Sequence, residues 1–120
     1  MNIQKIFNFN FSNNKNLTNL YINSTNRNAI NGVLNDLNTN IFLNGPIKSG
    51  KTYLANLWLK KYSAINYNNN NFNYIINNKI NILIDDINQI NDEEKVFHII
   101  NHCKYSNLRI LIISNKSINE

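Results

Sequence analysis

The segment Gly45-Pro46-Ile47-Lys48-Ser49-Gly50-Lys51-Thr52 carries the plainest chemistry in the chain. It matches G-x-x-x-x-G-K-[ST], a glycine-rich turn whose backbone cradles phosphate oxygens. Gly45 and Gly50 let the backbone curl so that successive N–H groups, those of Ile47, Lys48 and Ser49 among them, point inward. The first turn of the following helix adds unpaired donors and the positive end of its dipole. Lys51 reaches the outer phosphates as a point charge, and Thr52 offers its hydroxyl to Mg²⁺. Pro46 stiffens the loop where a missing N–H is tolerable. The competing reading is a chance turn containing glycine and lysine.

Two carboxylates stand further on. Asp85 and Asp86 end the apolar run Ile82-Leu83-Ile84. Asp85 is the natural partner for a Mg²⁺ ion shared with Thr52 and phosphate oxygens. Asp86 can orient or polarise water, with a shorter reach than a glutamate; as a plain turn residue it would need no chemistry at all. Ser114 and Asn115 close the last apolar run and can hydrogen-bond a γ-phosphate or an attacking water. His98 and His102 are four apart and share a helix face. Their surroundings, His98-Ile99-Ile100-Asn101-His102, lack the glutamate of a HExxH zinc motif, and no third ligand is evident. A solvated or partly buried pair is expected, with Cys103 and Trp58 in the core.

The elements that must hold these groups follow from the apolar spacing. Ile41-Phe42-Leu43 reads as the strand feeding the loop, and Tyr53 to Tyr62 as the helix leaving it, with Leu54, Ala55, Leu57, Trp58 and Tyr62 inward. Upstream, Asn23-Ser24-Thr25-Asn26 starts a helix running to about Leu37, with Ala29, Ile30, Val33, Leu34 and Leu37 at helical spacing. Ser63–Tyr67 reads as a second strand, Asn68–Asn73 as a loop, and Tyr74–Asn78 as either helix or strand. Lys79–Ile84 is a strand whose unbroken apolar run suits a parallel sheet covered on both faces. Asn91 then caps a helix with Asp92, Glu93 and Glu94 in its first turn, Glu94 completing a capping box. Val96, Phe97, Ile99, Ile100 and Cys103 form its inner face. Arg109–Ile113 is the last strand. The alternation predicts an α/β fold with a mostly parallel sheet. Ligands of such sheets bind beyond the carboxyl ends of the strands, where the loop, the two aspartates and Ser114-Asn115 all fall.

Composition sets how far each residue type can be read. About a quarter of the 120 residues are asparagine, and isoleucine and lysine are also heavy. This pattern fits A/T-rich codon usage, so an isolated Asn, Ile or Lys says little. The formal charge of +5 would suit an acidic partner or nucleic acid, but the lysines are scattered and follow the same bias. One cysteine excludes an intrachain disulfide and suits a reducing compartment. No signal peptide is recognisable, and no apolar run nears the ~18–20 residues that span a bilayer. A soluble, cytoplasmic protein is expected. The length suits one small domain.

The motif series GPIKSGKTYLANLW, ILIDDI and DEEKVFHIINHCKYSNLRILIIS resembles, in order and spacing, the nucleotide-binding domain of the DnaA superfamily of AAA+ proteins. It is most similar to the short Hda-type regulators of replication initiation, the alphaproteobacterial kind in particular. The resemblance implies a P-loop three-layer sandwich, incomplete at the carboxyl end, and a site for ATP or ADP with Mg²⁺. Gly45 to Thr52 would bind the nucleotide, Thr52 and Asp85 the metal. Asp86 would be the water-side carboxylate and Asn115 the polar sensor. Tyr21 to Ala29, with Ile22, looks like the segment near the adenine. Gln4-Lys5-Ile6-Phe7-Asn8-Phe9 resembles a clamp-binding peptide, with Gln4, Phe7 and Phe9 in register and Lys5 in place of an apolar residue. Residues 1–20 would then be a tail, carrying at most one edge strand, and 21–120 a partial AAA+ domain.

Proteins of this type act with the sliding clamp on DNA to promote ATP hydrolysis by the initiator DnaA. The family's fifth strand, arginine finger, helical lid and lid arginine have no counterpart here, so a sheet edge should be uncovered. Any ATPase activity would be weak and need a partner arginine. The alternatives are a stand-alone P-loop ATPase, such as a loader-like protein, or a non-functional remnant.

Overall fold

The computed structural model describes residues 5–8, 27–45 and 50–115. Five strands form one parallel sheet: β1 (Lys5–Asn8), β2 (Asn40–Asn44), β3 (Ile65–Asn66), β4 (Ile82–Ile84) and β5 (Ile110–Ser114), in the order β1-β2-β5-β4-β3. The helices are α1 (Arg27–Val33), α2 (Lys51–Tyr62), α3 (Phe72–Ile76) and α4 (Glu93–Ser106), with a 3-10 turn at Ile87–Gln89.

Side chains alternate across a strand, so each strand feeds two cores. Ile41, Leu43, Leu83, Leu111 and Ile113 point to one face, where Ile30 and Val33 of α1 and Leu54, Ala55 and Trp58 of α2 cover them. Ile82, Ile84, Ile110 and Ile112 point to the other, against Ile75 of α3 and Val96, Ile99 and Cys103 of α4. The result is an α/β/α sandwich. Burying each large apolar side chain contributes about 1.5–3 kcal/mol, so the two layers together hold the sheet between helices. This double cover is why the strands read as unbroken apolar runs.

Several boundaries differ from expectation for local reasons. Helix α1 ends at Val33 rather than near Leu37, which is 88% exposed. The Asn35 side chain accepts from the Leu37 N–H, and the Asn38 amide donates to the Gly32 carbonyl, so side chains replace helical partners. The cap of α4 is Asp92, not Asn91: its carboxylate accepts from the Lys95 N–H at 3.1 Å. Phe97 turns outward at 69% exposure, and Leu57 of α2 is also exposed. Helix α3 begins inside the stretch expected to be a loop. Strand β4 is shorter than expected, starting at Ile82. The edge beside β2 is not bare, because β1 pairs with it, Phe7 opposite Leu43.

Candidate functional site on the carboxyl rim

All five strands run the same way, so their carboxyl ends share a rim. Strand β5 lies between β2 and β4. That order sets Ser114 and Asn115 between the end of the loop strand and the end of the aspartate strand. Two hydrogen bonds tie the three ends together. The Gly45 N–H donates to the Ser114 carbonyl at 3.1 Å, and the Asn88 amide donates to the Ser114 hydroxyl at 3.0 Å. Asn88 belongs to the 3-10 turn after Asp86. It went unremarked in the sequence because one asparagine among so many carries no signal.

Gly50 has φ 94° and ψ 2°, a left-handed conformation that glycine takes without steric penalty, and it is the N-cap of α2. The Leu54 N–H already donates to the Gly50 carbonyl. Lys51 and Thr52 therefore occupy the first helical turn, where the dipole favours an anion. Thr52 is exposed and Lys51 only 3% exposed. Burial pushes the Lys51 ammonium down to about 8, against the pull of Asp85 and then Asp86, which favour its charged form.

The two carboxylates lie on one turn. Asp85 has its pKa raised by partial desolvation at the rim and by Asp86, with Lys51 offsetting some of this. Asp86 adopts φ 56° and ψ 72°, unusual for a residue with a Cβ. Its Oδ1 is buried with no hydrogen-bond partner among the described residues. Such conformations and orphaned acceptors cluster where structure is held for a ligand.

Among the described residues no group of three His, Cys, Asp or Glu could hold a metal alone. The histidines are otherwise engaged: His102 Nε2 lies 3.0 Å from the Asn78 carbonyl, and His98 meets Phe72 edge-on. Cys103 is buried, its thiol pushed up to about 12 by desolvation, and Trp58 is in the core.

The structure thus brings together Gly45, Gly50, Lys51, Thr52, Asp85, Asp86 and Asn115. Pro46, Ile47, Lys48, Ser49, Ile22, Gln4 and Phe9 lie outside the described residues; Phe7 is placed in β1. Among the described residues no helix is long and apolar enough to cross a membrane. No protein-family model matches the chain, no curated protein matches it, and no solved structure matches it.

Proposed function

We propose that the chain is a P-loop nucleotide-binding domain of the AAA+ type that takes ATP or ADP with Mg²⁺ on its carboxyl rim. On this reading it works as an Hda-like regulator of replication initiation, beside the sliding clamp and the initiator DnaA. One observation carries the nucleotide assignment. Lys51, 3% exposed, sits at the start of α2 near enough to Asp85 and Asp86 for both to act on its charge. A buried ammonium, a helix N-terminus behind a left-handed glycine and a pair of acids form a set that suits a magnesium polyphosphate.

The roles divide by chemistry. Backbone amides from Gly45 to Gly50 and the Lys51 ammonium bind phosphate oxygens. Thr52 and Asp85 hold Mg²⁺, which when bound neutralises charge on the phosphates. Asp86 orients a water, and Asn115 holds the outer phosphate or that water in place. Arg109 belongs to the opposite rim, its guanidinium 4.2 Å from the Tyr62 ring centre, so it does not serve this site. Hydrolysis by the chain alone is therefore slow.

The test is equilibrium titration with a fluorescent ADP analogue, with and without Mg²⁺. Saturable binding that weakens about 100-fold or more in Lys51→Met is expected, since a charge-assisted phosphate contact is lost. Equal binding by Lys51→Met and the parent overturns the assignment. The regulatory half rests on the motif resemblance at Gln4, Phe7 and Phe9; because Phe7 lies in β1, opposite Leu43 of β2, clamp binding requires this segment to leave the sheet or be read at its edge. A clamp pull-down that survives Gln4→Ala with Phe7→Ala removes it.

A further inference from the structure

Lysines that are scattered along the sequence are gathered by the fold. In a parallel sheet with helical crossovers, each helix returns from the carboxyl end of one strand to the amino end of another. Helices α2 and α4 therefore both finish at the amino rim, and both finish on cations: Lys60 and Lys61 in α2, Lys104 in α4. Lys79 stands shortly before β4 and Arg109 immediately before β5, at the same end. Asp36 is the acid at this end among the described residues. Asp85, Asp86, Asp92, Glu93 and Glu94 all follow β4 or open α4, at the opposite end, where Lys51 and Lys95 only partly offset them. Among the described residues the amino rim is thus basic and the carboxyl rim acidic. Cations at helix carboxyl ends oppose the dipoles favourably. That accounts for Lys60, Lys61 and Lys104 as stabilising residues, but not for Lys79 or Arg109.

Contacts join these residues into one band across the end of the sheet. On the α2 side, Lys61 meets Asp36 at 3.3 Å. In the middle, the Arg109 guanidinium lies on the ring of Tyr62, and the Arg109 N–H donates to Asn81 Oδ1. Asn81 in turn donates to the Tyr62 carbonyl, and Lys79 belongs to the loop leading into Asn81. On the α4 side, the Asn78 carbonyl lies 3.0 Å from His102 Nε2, in the last turns of the helix that carries Lys104. Lys60, Lys79 and Lys104 are exposed. Tyr105, beside Lys104, is 83% exposed. A cationic band with an exposed aromatic ring fits a chain of phosphates that carries flat bases. Ammonium groups neutralise the phosphates and release their counterions, and a base stacks on the ring. Leu37 is the exposed aliphatic side chain at this rim among the described residues. One such side chain is too little apolar surface to anchor a protein on a bilayer.

We propose that the amino rim binds single-stranded nucleic acid through its phosphates, without reading its sequence. Lys60, Lys79 and Lys104 neutralise phosphates, and Tyr105 stacks on a base. Lys61 and Arg109, already engaged within the chain, add to the field. This surface lies at the opposite end of the strands from the proposed nucleotide site, so neither assignment depends on the other.

The test is fluorescence anisotropy of the intact chain with end-labelled oligothymidylate and oligouridylate, each about 16 nucleotides long. Saturable binding is expected to at least one of them, and their ratio tells whether the DNA or the RNA backbone is preferred. Three neutralised phosphates give a slope of about −2 in log K against log salt. Replacing Lys60, Lys79 and Lys104 together by Gln should weaken binding about tenfold or more and flatten that slope. Circular dichroism and the urea midpoint check that this variant, altered only at exposed positions, is folded. Tyr105→Ala should weaken binding about fivefold with the slope kept, since stacking on a ring is not a counterion effect. Tyr105→Phe should restore it. Excess Mg·ATP should leave the oligomer bound. No saturable binding at about 50 mM salt, equal binding by the triple lysine variant, or displacement by Mg·ATP overturns the assignment. So does binding to phosphatidylserine vesicles with none to either oligomer. A failed oligomer titration with intact Mg·ATP binding removes this surface and leaves the nucleotide site standing.

Discussion

The two rims of the sheet are built on opposite principles. At the amino rim, polar groups find each other. Asn81 donates from its amide to the Tyr62 carbonyl and accepts from the Arg109 N–H at 2.9 Å. The Arg109 guanidinium covers the Tyr62 ring and donates to the Asn38 carbonyl. The Tyr62 hydroxyl donates to Asp36, and that bond, with the Lys61 ammonium, lowers the pKa of the Asp36 carboxyl. Asn40 Oδ1, and Trp58 Nε1 whose ring lies 5.6 Å from that of Tyr62, are the unpartnered buried atoms on this side among the described residues. At the carboxyl rim an ammonium is buried beside two aspartates, and the Tyr67 hydroxyl and Asp86 Oδ1 lack partners among the described residues; left-handed non-glycine residues occur at both ends, Asp86 here and Ser63 and Asn107 at the other. The amino rim is cross-linked by side chains, whereas the carboxyl rim gathers a buried ammonium and two acids, the set that the proposed nucleotide would complete. Proteins carry such local destabilisation where activity requires it, and compensate through the rest of the structure.

The contrast can be broken most forcefully at Lys51. Its folded pKa of about 8 lies below the ordinary 10.5. The unfolded chain therefore holds more protons between these values, and stability must rise with pH across that window. Below it, the desolvated charge opposes folding, offset in part by Asp85 and then Asp86. Lys51→Met should flatten the pH dependence, read as the difference between the two proteins' urea midpoints from pH 7 to 10. A variant less stable than the parent at pH 7 would place Lys51 among the stabilising contacts.

Asn81→Ala probes the other rim. It strips partners from the Arg109 N–H and the Tyr62 carbonyl, and should lower stability by about 2 kcal/mol, since each partly buried group left unsatisfied costs roughly 1–3 kcal/mol. Nucleotide affinity should be unchanged. A change in affinity without loss of stability would deny the division between the rims.

Tyr67→Phe should stabilise modestly, by about 1 kcal/mol, through loss of a buried unpaired hydroxyl; calorimetry checks it. The smallest effect is expected from Lys61→Met. The Lys61–Asp36 pair lies at 3.3 Å on the exposed surface, where ion pairs are screened and contribute little. A clear loss in the urea midpoint there would mean that the amino rim relies on its outermost charges.

Much of this was legible in the chain because some residue types are hard to substitute. A left-handed N-cap requires something like Gly50, and Lys51 with Thr52 after it narrows the chemistry. Asp85 and Asp86 stood out because acids are scarce and follow an apolar run. The parallel sheet showed in the runs Ile82–Ile84 and Ile110–Ile113. What stayed hidden depended on asparagine. Asn35 and Asn38 end α1, Asn81 joins Tyr62 to Arg109, and Asn88 locks Ser114. Each is one of many equivalent letters, and only tertiary position separates it from the rest. Spacing also misplaced Phe97, because positions 96, 99 and 103 already complete the inner face of α4. The covering of β2 by β1 is a long-range pairing that local periodicity does not encode.

The most direct measurement is the urea midpoint of the parent chain and of Lys51→Met, each with and without Mg·ATP at pH 7. A ligand that binds only the folded state raises stability by RT ln(1 + [L]/Kd), about 2.7 kcal/mol at a hundredfold excess over Kd. The parent should gain with nucleotide, whereas Lys51→Met should gain little or nothing. If nucleotide shifts both proteins alike, or neither, the carboxyl rim is not a phosphate site.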